Sequence, residues 1–285
     1  RENGQTVFAE TCPQYLLLDD SVYSKPDFEG AKYVCAPPIR KKADQDCLWK
    51  ALADGDIQTV ATDQCSFTLA QKAMGKADFT KIPGGLPGVQ TRGTLLYTYG
   101  VRTGKITVER MCQLLCENPA KLYGVYPNKG VIAEGSDADI VVFDPEKENV
   151  ISAKTHAYNT DNNPYEGFEV HGDIDKVFLR GNLAVDEGKL VQEKLGAYIK
   201  RGLRQPLACL KNHVFLHILS ETVQRLRHMW HYMLLQKHHS VQKQRTSAPN
   251  RNLRISGFRS GFPGIPLRFP MEVRVCQWNR WQAKY

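Results

Sequence analysis

The stretch IQTVATDQCSF, residues 57–67, decides how the rest of the chain is read. Its first part, Ile57–Thr62, is rich in β-branched residues and reads as a buried strand. The run stops at Asp63, a carboxylate placed where the apolar pattern ends. An acidic residue directly after a strand has two physical uses. It can cap the next helix by accepting backbone N–H bonds. It can also stand at the C-terminal rim of an α/β barrel, where reactive side chains gather, and there bind a metal or take a proton from water. The pattern by itself leaves both open.

Working outward, Val7–Ala9 is a short strand-like run that ends at Glu10. Asp46–Asp54 has helical spacing, with Leu48 and Leu52 on one face and Gly55 as the stop. Gly84, Gly85, Pro87 and Gly88 form a loop incompatible with regular structure. Thr107 is placed to cap a helix that buries Val108, Met111, Leu114 and Leu115, and Asn118-Pro119 starts a new helical turn. After Gly130 the period becomes that of strands. Val131–Ile132 and Ile140–Phe143 predict one hairpin around Gly135-Ser136. Val177–Leu179 and Leu183–Val185 predict a second around Gly181-Asn182. Alternating strand and helix followed by short strands gives an α/β class: the C-terminal part of an α/β barrel, then a small β-rich domain.

The formal net charge of +8 is unevenly spread. Residues 206–285 hold 13 Lys and Arg against 2 Asp and Glu, whereas residues 1–205 hold 25 against 28. The expected organisation is therefore a barrel portion over 1–128, a β-rich portion and extension over 129–205, and an unrelated basic tail over 206–285, poorly ordered or read out of frame. The tail carries no recognisable nucleic-acid motif, so no nucleic-acid partner is expected. HVFLH puts His213 and His217 on one helix face, but no third ligand has matching spacing. No run of 18 apolar residues occurs, and no membrane span is expected. The opening RENGQTVF lacks a starting Met and reads as the middle of a longer gene. Eight scattered cysteines without a CxxC pair fit reduced thiols and a cytoplasmic setting. Cys112 and Cys116 read as packing residues, and His156 and His171 as structural or surface residues rather than metal ligands.

Seven segments then occur in a fixed order: ETCPQYL (10–16), CAPPIR (35–40), ATDQCSF (61–67), IPGGLPGVQTR (82–92), ENPAKLYG (117–124), GVIAEGSDADIVVFDP (130–145) and NPYEGFEVHG (163–172). Together they resemble the dihydropyrimidinases and hydantoinases of the amidohydrolase superfamily, over roughly residues 1–195. The resemblance implies a metal-bearing (β/α)8 barrel beside a small β-sandwich, with the segments ending at Glu10 and Asp63 as barrel strands seven and eight. It implies hydrolysis of a cyclic amide, a dihydropyrimidine or hydantoin ring opening to an N-carbamoyl amino acid, at a centre of two zinc ions. Asp63 takes the role of zinc ligand and proton shuttle. Ala36, in a loop that usually reads SPP, and Gly84, in one that often reads PNG, take the role of holding the ring through their backbone groups. Gln64 stands where relatives often have His, and it cannot titrate. The resemblance also implies a homotetramer.

The family's other metal ligands are an HxH pair, a carboxylated Lys and two single His, from strands that do not occur in this sequence. Catalytic zinc needs about three protein ligands, so these 285 residues alone are expected to be inactive. A non-catalytic structural or signalling relative of the collapsin response mediator type is the alternative.

Overall fold

The computed structural model describes residues 7–203 and 274–276. They belong to one compact unit. HVFLH, and the basic stretch apart from 274–276, lie outside the described residues.

The chain begins with strand β1 (Glu10–Thr11), helix α1 (Pro13–Leu17), helix α2 (Lys42–Asp54) and strand β2 (Thr59–Val60). β1 and β2 run parallel, with Glu10 opposite Thr59 and Thr11 opposite Val60. Flanking bonds extend the pairing: Gln58 N donates to Ala9 O at 3.0 Å, and Ala61 N to Thr11 O at 2.9 Å. The expected strand over Ile57–Thr62 is present with a shorter paired portion, whereas the first strand lies at Glu10–Thr11, just past the predicted Val7–Ala9. α2 starts at Lys42, four residues before the predicted Asp46, and ends at Gly55 with φ 86°, the left-handed stop that glycine tolerates.

Helix α3 (Leu69–Ala73), helix α4 (Arg92–Leu96), helix α5 (Val108–Cys112) and helix α6 (Asn118–Leu122) follow. Thr107 caps α5 as expected, its side chain accepting from Arg110 N. A π-helical turn, Gln113–Glu117, joins α5 to α6, so Pro119 sits within a continued helical run. Arg110 is buried and donates to Leu52 O at 2.7 Å and Ile57 O at 2.8 Å, tying α5 to α2 and to the chain just before β2. Adjacent residues of α4 feed two cores. Leu96 packs with Leu16, Trp49, Leu52, Val60 and Leu114, and Leu95 packs with Leu18, Ile39, Ile151, Tyr165 and Val170. Cys116 is 2% exposed and belongs to the first core, in keeping with a packing role.

The remaining described strands are β3 (Ile140–Val150), β4 (Glu169–Leu179), β5 (Asn182–Asp186), β6 (Lys189–Leu190) and β7 (Arg274–Cys276). They form one antiparallel sheet in the order β6-β5-β4-β3-β7. The second expected hairpin is present as β4 and β5, turning at Arg180-Gly181. The first is not. Val131–Ile132 forms no strand, and β3 pairs instead with β4. A buried ion pair decides where β3 begins: Lys129, with 3% of its side chain exposed, contacts Asp139 closely and Asp137 at 2.8 Å. Asp139 also accepts from Arg180 N at 2.8 Å, which fastens the start of β3 to the end of β4. Arg274–Cys276 of the basic stretch runs antiparallel beside β3.

Candidate active site

The site starts where β2 ends. Thr62 is buried, 2% exposed, and its carbonyl accepts from Gln14 Nε2 at 3.4 Å. Gln64 is held on the other side. Its Oε1 accepts from Gly88 N at 3.0 Å and Val89 N at 2.9 Å, and Cys65 N donates to Leu86 O at 3.1 Å. Between these fixed neighbours Asp63 adopts φ 49°, in the left-handed region that Asp enters more readily than most residues. Asp63 is exposed, and its carboxylate makes no hydrogen bond or ion pair among the described residues. The cap reading is excluded by geometry: α3 begins only at Leu69, and Thr68 caps it in a reciprocal pair with Gln71.

Asp63 has the buried Cys12 and the half-buried Tyr15 as electrostatic neighbours. Burial first, then the charges of Glu10 and Asp63, pushes the Cys12 thiol up to about 12. Burial also pushes the Tyr15 phenol up. Both stay protonated at neutral pH, and the Tyr15 hydroxyl is a donor, given to Pro37 O at 2.9 Å. Cys35 Sγ donates to the same carbonyl at 3.3 Å. Two donors on one carbonyl fix the Ala36-Pro37-Pro38 loop beside Asp63. Glu10 lies one strand away, and its Oε2 accepts from the Thr59 hydroxyl at 2.8 Å.

The second expected loop lies against the first. A Cβ built on Gly84 would stand 3.9 Å from Ala36 N and 3.9 Å from Cys35 Cα. Gly85 N donates to Val34 O at 2.9 Å. Ala36 and Gly84 are both exposed, and neither uses its backbone N–H or C=O in a hydrogen bond among the described residues. Ala36 and Gly84 thus lie together, and Asp63 is an electrostatic neighbour of Tyr15, which holds the Ala36 loop. Gln64 spends its carbonyl oxygen on fixing the glycine loop.

Sequence reasoning missed Lys72. It is 2% exposed, and its Nζ donates to Val34 O at 2.8 Å, Pro83 O at 2.7 Å and Gly85 O at 3.0 Å. The Phe67 ring lies 5.6 Å from the ammonium. Lys72 makes no ion pair with a carboxylate among the described residues. Burial lowers its pKa to about 8. Sequence reasoning also missed the segment between β3 and β4. Asp161 accepts from Leu69 N at 2.9 Å, and Asn162 Nδ2 and the Thr160 hydroxyl donate to Phe67 O at 2.8 and 3.0 Å. His156 and His171 each have a polar partner of their own. The first contacts Thr160 O at 2.9 Å, and the second contacts Glu148 at 3.2 Å.

Among the described residues no group of three His, Cys, Asp or Glu side chains is placed to hold a metal ion. One exposed carboxylate falls short of the three or so protein donors that catalytic zinc takes, so the described residues do not make a zinc site by themselves.

A family model described as the amidohydrolase family matches residues 27–184, which include Ala36, Asp63 and Gly84. The chain belongs to that family. This amidohydrolase-family chain is 48% identical over 203 residues to the D-hydantoinase of Geobacillus stearothermophilus, covering 70% of the chain and 43% of that relative. It is 44% identical over 189 residues to a D-phenylhydantoinase of Escherichia coli, covering 66% of the chain and 41% of that relative. Among solved structures it is similar to the dihydropyrimidinase of Brevibacillus agri, with TM-score 0.71, 48% identity, and coverage of 73% of this chain and 45% of that one. The chain therefore spans under half the length of the relatives it matches.

Proposed function

We propose that the protein hydrolyses the ring amide of a hydantoin or dihydropyrimidine, giving an N-carbamoyl amino acid. The observation that carries this reading is the pairing of two free backbone segments with a free carboxylate. The rim of such a ring alternates carbonyl acceptors with N–H donors, and exposed backbone N–H and C=O groups at Ala36 and Gly84 offer the complementary set. Asp63 stands beside them without a partner. In this reading it takes the proton of the attacking water and returns it to the leaving ring nitrogen. The names of the relatives support the substrate class.

β1 and β2 are proposed as neighbouring strands near the end of a (β/α)8 barrel over 1–128, and β3 to β6 as part of a β-sandwich over 129–205. Asp63 is proposed as one donor of a zinc site whose other donors are not among the described residues. The test combines the chain with the segment of the Geobacillus D-hydantoinase that it does not cover, with zinc present. N-carbamoyl product from hydantoin or dihydrouracil is expected from the combination and not from the chain alone. A folded, zinc-loaded combination that opens neither ring overturns the proposal.

A further inference from the structure

Lys72 is the least expected group in the molecule. It lies on a five-residue helix in the run AQKAMGK, where a lysine reads as solvent-facing. Instead it is 2% exposed and carries its charge inward. Burying an ammonium is costly unless its donors are satisfied. Here three backbone carbonyls satisfy all three donors, at 2.7 to 3.0 Å.

The identity of those carbonyls is the informative part. Pro83 and Gly85 flank Gly84 on either side, and Val34 lies two residues before Ala36. Gly85 N donates to the same Val34 carbonyl. The ammonium and one backbone bond therefore join the two loops at positions next to Ala36 and Gly84, whose backbone groups make no hydrogen bond among the described residues. Neither loop has regular structure to fix its own position, since residues 82–85 and 34–36 fall outside every helix and strand.

We propose that Lys72 is the positioning residue of the ring-binding loops, setting the separation of Ala36 and Gly84. The substrate part of this inference rests on the function proposed above; the loop part does not. A lysine is suited to the task because three donors on one atom draw three acceptors to a common centre. A carboxylate partner would neutralise the charge but leave the carbonyls apart.

The test has one arm without substrate and one with it. Hydrogen exchange is followed in the chain and in Lys72→Met, which keeps much of the length and removes every donor. Protection of the two hydrogen-bonded loop amides, Val34 N on Ala31 O and Gly85 N on Val34 O, should fall together by roughly tenfold or more, with α2 and α5 unchanged. Unchanged protection, or loosening of one loop alone, overturns the proposal. Should Lys72→Met lose protection throughout, Lys72→Gln supplies the reading, since it keeps two N–H donors on a shorter arm. It should loosen both loops by a smaller factor, and failure to do so counts against the proposal. In the combined enzyme, Lys72→Met should raise KM for hydantoin roughly tenfold and change kcat less than about threefold, as expected for lost ring binding. A drop in kcat at constant KM overturns the positioning role. Absence of ring opening in the parent combination strikes the functional reading, and the exchange experiment then decides the loop clamp by itself.

Discussion

Asp63 and the two glycines of the adjacent loop show how much can turn on single residues. Asp63→Asn preserves shape and removes the charge and the base. In the combined enzyme it should cut hydantoin turnover by about 10²–10⁴-fold; near-normal turnover would remove Asp63 from the chemistry. Stability is a separate matter, because Asp63 caps no helix, so urea unfolding of the same variant should move little. Gly84 and Gly85 are predicted to respond in opposite ways. A Cβ on Gly85 would meet Cys65 O at 2.3 Å, at φ 148°. Gly85→Ala should cost more than about 2 kcal/mol of unfolding free energy. A Cβ on Gly84 meets nothing closer than 3.9 Å, and Gly84→Ala should stay within about 1 kcal/mol of the parent. Equal losses at both positions would contradict the loop geometry described here.

At the scale of elements, the sequence was most readable where local chemistry fixes the outcome. Gly55 stops α2, Thr107 caps α5, and Gly181 sits in the turn from β4 to β5. Each works through its own backbone or a bond to a residue nearby. The capping box that removes Asp63 from cap duty was also readable, as Thr68 followed three residues later by Gln71. Pairing was less readable. Val131–Ile132 and the Gly135-Ser136 turn carry hairpin chemistry, yet the Ser136 hydroxyl donates to Pro127 O at 2.8 Å and the region closes on itself. β3 finds its partner well beyond the next turn, Ile140 opposite Phe178 at one end and Val150 opposite Glu169 at the other. No local pattern specifies that choice. The candidate site divides the same way. Asp63 announces itself at a strand end, and the roles of Ala36 and Gly84 come from resemblance. Lys72 is silent in sequence, because what makes it matter is three carbonyls from two other segments.

For the whole molecule, Lys72 has a consequence for stability against pH. Its pKa is lowered by burial from 10.5 to about 8. Below about pH 8 both folded and unfolded chains carry the proton, and the cost of burial is present in full. Between about 8 and 10.5 the unfolded chain binds more protons, so this group makes the fold more stable as pH rises. The full effect is on the order of 3 kcal/mol. Cys12, raised from 9.0 to about 12, acts in the opposite sense over the higher part of this range, because the folded chain keeps a proton that the unfolded chain releases. Comparing the parent with Lys72→Met isolates the lysine. Urea unfolding at pH 7.5 and at 9.5 should show the parent gaining on the variant by more than about 1 kcal/mol at the higher pH. A constant difference would mean that Lys72 does not titrate in this window.

The clamp from the far side of β3 has a consequence for the order in which the site is made. Asp161 and Asn162 hold Leu69 and Phe67 across 92 and 95 residues of chain. A ribosome releases Ala36, Asp63 and Gly84 long before it releases the side chains that grip the turn between Asp63 and α3. All three site residues are thus in hand while that turn is still unsecured. Its final shape waits for the segment leading into β4, so a nascent chain halted near residue 150 would display the site's residues without that hold on the turn.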